Sequence, residues 1–333
     1  MRKQLLMPVL LTVAQKIGMK ILIEPTRAMY GVILFDSGKK YYIKDVNFNL
    51  NLSASTSLAK NKAATSFFLE KFGYQVPEFT MVYSDEKCAR TQSNDTLQEG
   101  LDYSRRIGFP VILKPNNMSQ GSFVFKVNDE SEYFSFLSEI FTYCDTAQIQ
   151  KFYSGNDYRI VVLDRRVLSA YQRVPFHVIG DGDSSISELI CKKQRLFVQS
   201  GRDTKLIDTD TRLAHKILQQ GLSLESIPGL NETVILQDIS NLSAGGETIE
   251  LTDEIHPSFV KLALLIARDM NLTLCGIDII TNDITQQNDG QYTVIEVNSA
   301  PGLDNYAYQG AVQESYVESL YREVLLYIRN SYS

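Results

Sequence analysis

Gln291-Tyr-Thr-Val-Ile-Glu-Val-Asn-Ser-Ala-Pro-Gly-Leu303 reads as an apolar strand that carries two oxygen-bearing side chains into a Pro-Gly turn. A strand period of two puts Tyr292, Val294, Glu296 and Asn298 on one face. A carboxylate and a carboxamide then project side by side. Hard divalent cations such as magnesium take oxygen ligands of this kind, completed by water and substrate phosphates. Upstream, Gly276-Ile-Asp-Ile-Ile280 is a second apolar strand, interrupted by Asp278. An isolated Glu-x-Asn more often just ends a strand, because short motifs match by chance. With Asp278 in a similar strand nearby, the pattern predicts a metal site of Asp278, Glu296 and Asn298.

The rest of the chain is compatible with such a site. Its 333 residues suffice for one large or two to three small domains with real cores. A hydrophobic fraction of 44% and a charged fraction of 22% are those of an ordinary globular protein. The net charge of -6 disfavours nucleic acid as a partner. Residues 1–50 carry eight Lys/Arg against three Asp/Glu, a surplus of five, which leaves -11 for the remainder. That basic segment could meet an acidic partner or peptide, although a solvated charged edge is the simpler account.

Four cysteines (Cys88, Cys144, Cys191, Cys275) and three histidines (His177, His215, His256) are scattered without metal-ligand spacing. Zinc is therefore not expected, and a reducing, cytoplasmic setting fits better than a disulfide framework. No run reaches the roughly 18 apolar residues of a membrane span. The start, Met1-Arg-Lys-Gln followed by Leu5 to Ala14, imitates a secretory signal. Yet Leu6, Val9, Leu10, Val13 and Ile17 also fall at helical spacing, and the cleavage site is poor.

The first helix leads to a strand at Lys20–Glu24 and a hairpin over Gly31–Ile43, turned at Asp36-Ser-Gly38. A polar connector, Asn47–Ser57, precedes a helix over Ser57–Phe72 with Leu58, Ala63, Phe67 and Phe68 as its apolar face. Strands are expected at Phe79–Tyr83, Phe109–Pro115, Ser122–Lys126 and Ala147–Tyr153, with helices at Leu97–Arg106 and Ser131–Thr142. Tyr158–Leu163 and Val167–Val174 read as strands. The turn Gly180–Glu188 leads into a short helix, residues 199–211 into a loop, and Thr211–Gln220 into another helix. Long amphipathic helices follow Pro257 and span Val312–Ile328. Hairpins mixed with covering helices indicate an α+β architecture of several lobes.

Two lysines stand where phosphate chemistry would use them. Lys114 closes the apolar strand Val111-Ile-Leu113 just before Pro115, and Lys62 lies near a helix start after Lys60-Asn61. Here the sequence resembles the ATP-grasp superfamily, and within it the ATP-grasp parts of cyanophycin synthetase and bifunctional glutathione synthetase. The matching stretches are Ile112-Leu-Lys-Pro115, Gly155-Asn-Asp-Tyr-Arg159, Arg173-Val-Pro with His177-Val-Ile-Gly-Asp-Gly182, Asn241-Leu-Ser-Ala-Gly-Gly246, Leu251-Thr-Asp-Glu-Ile-His-Pro257, Cys275-Gly-Ile-Asp278 and Val294–Gly302. They occur in the family's order across 56–310, and their joint presence is far more specific than any one of them.

The resemblance implies two α+β lobes gripping ATP. The units would be a short N-terminal α/β segment (1–55), a lid lobe (56–150) and a metal-bearing lobe (151–333). It implies an ATP-dependent carboxylate–amine ligase that forms an acyl phosphate, releases ADP and joins the acyl group to an amine. The substrate would be an amino acid or small peptide, and the cofactors ATP and magnesium, two ions being expected and manganese the alternative. Carried over by position, Asp278, Glu296 and Asn298 are metal ligands, and Lys62 and Lys114 hold phosphates together with Ser119 and Gly121 of the lid. Gln150, Lys151 and Phe152 form the hinge at adenine, and Asp157 meets the ribose. Arg159 and Arg173 hold a carboxylate or the phosphoryl group, for which the planar guanidinium fork is suited. Asn241, Ser243, Gly245 and Gly246 line the place where acyl phosphate and amine meet.

Several letters depart from the family. The glycine-rich lid is reduced to Met118-Ser-Gln-Gly-Ser-Phe123, which leaves fewer sites for close backbone approach to phosphate. The hinge acid is Gln150, an arginine before Asn241 is replaced near Gln237-Asp238, and a lysine near 208 is Asp208 with Lys205 close by. Two further readings therefore stay open, a ligase tailoring a ribosomal peptide and a degenerate ATP binder without turnover. A homodimer is likewise left open, and neither a membrane nor a nucleic acid is expected as a partner.

Overall fold

Residues 6–116, 123–202, 204, 206 and 211–333 are described by the computed structural model of the chain. The N-terminal segment forms α1 (Leu6–Lys16) and an antiparallel sheet of β1 (Lys20–Ile23), β2 (Tyr30–Leu34) and β3 (Lys40–Lys44). Helical spacing turns Met7, Val9, Leu10, Val13 and Ala14 inward, as the period predicts, and Ile17 packs against the same core.

The helix expected over Ser57–Phe72 is two helices, α2 (Ser53–Lys60) and α3 (Lys62–Lys71). Asn61 separates them in an extended conformation (φ -99°, ψ 103°), and its side chain accepts a hydrogen bond from the Ala64 N–H at 3.1 Å. Capping competes with helix continuation at such a residue, so the chain restarts there with a new phase. The expected apolar face is corrected accordingly. Leu69 is buried, while Phe67 and Phe68 are about half exposed at 50% and 41%.

Next come β4 (Phe79–Tyr83), α4 (Asp85–Thr91), α5 (Leu97–Ile107), β5 (Val111–Pro115), β6 (Phe125–Val127), α6 (Glu130–Phe141) and β7 (Thr146–Lys151). The four strands form an antiparallel sheet in the order β4-β7-β5-β6. One face, with Val82, Val111, Leu113, Phe125, Ala147 and Ile149, is packed under α6 residues including Tyr133, Leu137 and Ile140. The alternation sends Ile112, Lys114, Lys126, Gln148 and Gln150 to the opposite face.

The last part contains β8 (Asn156–Leu163), β9 (Arg166–Val174), β10 (His177–Ile179), α7 (Ile186–Gln199), α8 (Thr211–Gln219), β11 (Thr233–Ile235), β12 (Glu247–Glu250), α9 (Pro257–Asp269), β13 (Leu274–Thr281), β14 (Tyr292–Asn298), α10 (Asp304–Ala307) and α11 (Ala311–Tyr332). Its five-stranded sheet runs β12-β9-β8-β13-β14, and β10 pairs with β11 alone. The helix after the Gly180–Glu188 turn is not short. A capping box between Ser185 and Glu188 starts it, and fourteen residues follow. Pro257 occupies the first turn of α9, whose Phe259, Leu262, Ala263, Ile266 and Ala267 are buried. They pack with Tyr158, Ile160, Val162, Ile277, Ile279, Val294 and Val297, so one face of the large sheet is apolar core. The chain is therefore α+β, with each large sheet covered by helices on one face and lined with polar groups on part of the other.

Candidate active site

The polar face of the large sheet is built by register. Asp278 on β13 lies directly opposite Arg159 on β8 and opposite Glu296 on β14, while Asp157 on β8 lies opposite Arg173 on β9. These five side chains share one face because each is in phase with its partner across the ladder.

One expectation about this face is corrected. Tyr292 and Val294 do not share it with Glu296 and Asn298. Asp278 pairs with Glu296, but the next residue, Ile279, pairs with Val294, so Ile295 is an extra residue in a bulge. An inserted residue reverses the alternation beyond it. Val294 is thereby kept in the core at 1% exposure, while Glu296 and Asn298 turn to the side of Asp278. Without the bulge, Glu296 and Val294 could not both be placed in this way.

Charge dominates what surrounds Asp278. Arg159 grips it with two hydrogen bonds, Nε to Oδ1 and Nη2 to Oδ2, both 2.6 Å. Arg173 Nη2 donates to Asp278 Oδ2 at 2.9 Å and to Asp157 Oδ1 at 2.7 Å. A Cβ at Gly276 would lie 3.1 Å from the Pro301 Cβ, a tight approach, and 3.5 Å from Arg159 Cδ, an ordinary contact, so glycine here eases the packing of Pro301 and not the Arg159 pair. Burial pushes the Asp278 carboxyl upward, but the two guanidiniums outweigh it and hold the group below its usual range. At Asp157 burial prevails over Arg173 and raises the pKa.

Two lysines approach from other elements. The break at Asn61 puts Lys62 in the first turn of α3, and its Nζ is 3.4 Å from Glu296 Oε1. Lys114 is 4% exposed near the end of β5, and burial drives its pKa down to about 7, with Glu296 and Asp278 opposing the fall and Lys62 adding to it. In formal charge, Asp157, Asp278 and Glu296 face Arg159, Arg173, Lys62 and a protonated Lys114, a balance of +1. Such a surplus suits a polyanion.

The donor set fits a hard cation. Asp278 and Glu296 are cross-strand neighbours and Asn298 follows on the same face, so two carboxylates and a carboxamide offer oxygens of the kind such a cation takes. Among the described residues no cluster of three or more His, Cys, Asp or Glu side chains offers an alternative site.

The Asn241–Gly246 stretch leads into β12, the edge strand of the large sheet. Leu242–Ala244 form a single 3-10 turn, and the N–H groups of Ala244 and Gly246 both donate to the Asn241 carbonyl at 3.0 and 3.1 Å. A Cβ on Gly246 would meet the carbonyls of Ser240 at 2.7 Å and Val174 at 2.9 Å, so only glycine passes there. Thr248, two residues on, is opposite Arg173. Sequence reading missed the residue that holds this loop. Arg202 is 4% exposed, donates to the carbonyls of Gly246 at 2.7 Å and of Leu242, and lies 4.0 Å from the centre of the Phe197 ring. No motif marks it, because the loop it braces is some forty residues away.

The polar face of the four-stranded sheet carries the remaining candidates. Gln150 is buried with Nε2 unpartnered among the described residues, the Lys126 Nζ lies 4.3 Å from the centre of the Phe152 ring, and Lys151 is exposed. Gln148 was also missed. It is fully buried, sits directly opposite Lys114 and, among the described residues, leaves both its amide atoms without a hydrogen bond. The alternation in Ala147-Gln-Ile-Gln150 was the available signal. Ser119 and Gly121, like Lys205 and Asp208, lie outside the described residues. His177 is held by its own surroundings, with Nδ1 2.9 Å from the Pro175 carbonyl and Nε2 3.6 Å from Glu247.

A family model described as the RimK-like ATP-grasp domain matches residues 59–177 and 235–314. The chain belongs to this family. The two matched blocks hold every charged group named above around Asp278, and the Asn241–Gly246 stretch as well. Among curated relatives, the chain is 32% identical to the cyanophycin synthetase of Crocosphaera subtropica over 75% of its own length and 28% of that protein. It is 29% identical to the glutathione biosynthesis bifunctional protein of Mannheimia succiniciproducens over 78% of this chain and 34% of that one. The chain thus spans about a third or less of the length of these relatives. A solved bifunctional glutathione synthetase from Pasteurella multocida superposes with a TM-score of 0.61 at 25% identity, covering 95% of this chain and 44% of that chain. Among the described residues, no helix is long and apolar enough to cross a membrane.

Proposed function

We propose that this protein is an ADP-forming carboxylate–amine ligase acting on an amino acid or small peptide. The observation that carries the reading is the polar face on which Asp278, Glu296 and Asn298 adjoin Lys62 and Lys114. A carboxylate oxygen of the substrate attacks the γ-phosphorus of ATP, and the bond to the bridging oxygen breaks with ADP as leaving group. The amine nitrogen then attacks the acyl carbon, inorganic phosphate departs, and the nitrogen loses a proton as the amide forms. Lys62 and Lys114 orient the phosphates, and their charge favours the electron-rich transition state. Asp278, Glu296 and Asn298 would hold magnesium, which when bound neutralises phosphate charge.

Arg159 and Arg173 act in this reading through Asp278, which they pin in one orientation, and present their remaining N–H groups to the anionic substrate. Arg202 is a positioning residue for the loop of Asn241, Ser243, Gly245 and Gly246, where the acyl phosphate meets the amine. Gln150, Lys151 and Phe152 with Asp157 form the adenosine end, and 1–55, 56–150 and 151–333 are the working units. The test is interception. With ATP, magnesium and a panel of amino acids and dipeptides, hydroxylamine should give a hydroxamate together with ADP and phosphate. Formation of AMP and pyrophosphate would overturn the acyl-phosphate route.

A further inference from the structure

The N-terminal sheet has one face in the core and one in water. Gly31, Ile33, Tyr41 and Ile43 are buried. The other face carries three rows across the strands, Lys20–Leu34–Lys40, then Leu22–Val32–Tyr42, then Tyr30–Lys44. Leu22, Tyr30 and Tyr42 are 63%, 52% and 65% exposed, an unusual concentration of apolar surface on so small an area. Lys20, Lys40 and Lys44 are exposed beside them and make no ion pair among the described residues, while the Lys44 Nζ stands 5.4 Å from the centre of the Tyr30 ring. Glu24, in phase with this face just after β1, is turned back to accept the N–H groups of Thr26, Arg27 and Met29.

We infer that this face docks an extended acidic peptide segment with an apolar residue between two carboxylates. Residues two apart on a strand are separated by about 6.8 Å, so Lys40 and Lys44 stand about 14 Å apart with Tyr42 between them. An extended peptide presents positions i, i+2 and i+4 on one side at the same spacing. An acid, an apolar residue and an acid at those positions therefore match Lys40, Tyr42 and Lys44, with Leu22 and Val32 widening the central row. Three strands about 10 Å across and about 17 Å long give a face of roughly 170 Å², far below the roughly 800 Å² per partner of a stable protein interface, so a single segment fits it better than a second copy of the chain. The sheet is fixed to the catalytic part of the molecule. The Asn51 side chain bonds the Thr273 N–H and the carbonyls of Leu274 and Ser299, at the ends of β13 and β14. That the docked segment belongs to the ligase's substrate rests on the proposed function, but the docking itself does not.

Fluorescence anisotropy of a labelled peptide containing Glu-Thr-Leu-Thr-Glu tests the docking on the full chain. Saturable binding is expected, weakened tenfold or more by the double variant Lys40→Glu, Lys44→Glu and by replacing the peptide's leucine with serine. The double variant should prefer a Lys-Thr-Leu-Thr-Lys peptide. Equal binding of acidic and basic peptides by the native chain would overturn the proposal. So would sedimentation showing a dimer that the double variant dissociates, since the face would then join two copies. If the acidic peptide binds as expected but is never ligated, the docking stands and the ligase reading fails on that substrate.

Discussion

Replacing Gln148 with methionine should make the protein more stable and a poorer nucleotide binder at once. Gln148 is fully buried on the polar face of the four-stranded sheet, opposite Lys114, and neither amide atom has a partner among the described residues. An unsatisfied buried amide costs roughly 1–3 kcal/mol. Methionine has nearly the same volume and no strong hydrogen-bonding group, and a volume-conserving swap costs less than about 1.5 kcal/mol. The net gain is of the order of 1 kcal/mol, which in a chain of this size raises the thermal midpoint by about 2 °C. A sequence that tolerates such a cost in the free protein recovers it where a ligand satisfies the amide. Gln148 lies between Lys114, assigned to phosphate, and Gln150, assigned to the hinge. A donor and an acceptor on one planar group match the N6 and N7 edge of adenine.

Two lost hydrogen bonds then weaken binding by roughly 5- to 100-fold. Calorimetry should show this loss for ATP and for AMP alike, with tripolyphosphate unaffected. A higher midpoint with unchanged AMP affinity would refute the nucleotide role. A lower midpoint would refute the premise, because it would mean that the amide is already satisfied in the free protein.

Two further expectations concern charge. Lys114, with its pKa near 7, is mostly neutral at pH 8 and mostly charged at pH 6, whereas bound phosphate favours the charged form. ADP binding at pH 8 should therefore take up close to one proton, and at pH 6 almost none, with affinity falling as pH rises through 7. Calorimetry in buffers of different ionisation enthalpy measures the uptake, and an identical value in Lys114→Met would rule this lysine out. Glu296→Gln and Asp278→Asn should both abolish turnover and magnesium dependence, yet differ in stability. Among the described residues Glu296 has only Lys62 within ion-pair distance, and it keeps 28% of its side chain exposed, so its loss should leave the midpoint nearly unchanged. Asp278 is buried between two guanidiniums, and neutralising it should cost about 3–5 kcal/mol, because cations are left without their counter-charge. Equal midpoints for the two variants, read by differential scanning fluorimetry, would contradict the network described at Asp278.

Strands and helices with a long, regular period were legible in the sequence. The β8–β9 pair, the strands bearing Asp278 and Glu296, the helix after Pro257 and the C-terminal helix all stand where alternation or the 3.6 period predicts them. Some elements too short to show a period were not, namely β10 and β11 at three residues each and the polar edge strand Glu247-Thr-Ile-Glu250, whereas the equally short β6 was marked by its apolar Phe-Val-Phe run. The break at Asn61 was hidden for another reason. Asn is compatible with a helix interior or a cap, and which one occurs depends on whether Leu69 or Phe68 finds the core, a tertiary matter.

The same distinction explains the site. The expectation for its chemistry came from residue type, which alone limits what Asp278, Glu296 and Asn298 could bind. Its phase was not legible, since the strict alternation that suggested Glu296 with Asn298 also placed Val294 beside them. The bulge at Ile295 resolves a conflict between two demands on one strand, an apolar residue for the core under α9 and a carboxylate for the opposite face. Pairings such as Arg159 with Asp278, 119 residues apart, add a further layer that no local pattern can carry. Bulge and pairing together fix a buried carboxylate between two arginines, and that fixation leaves Lys62 and Lys114 as the cations best placed to meet an incoming polyphosphate. The lysines, not the arginines, should therefore govern nucleotide affinity in this chain.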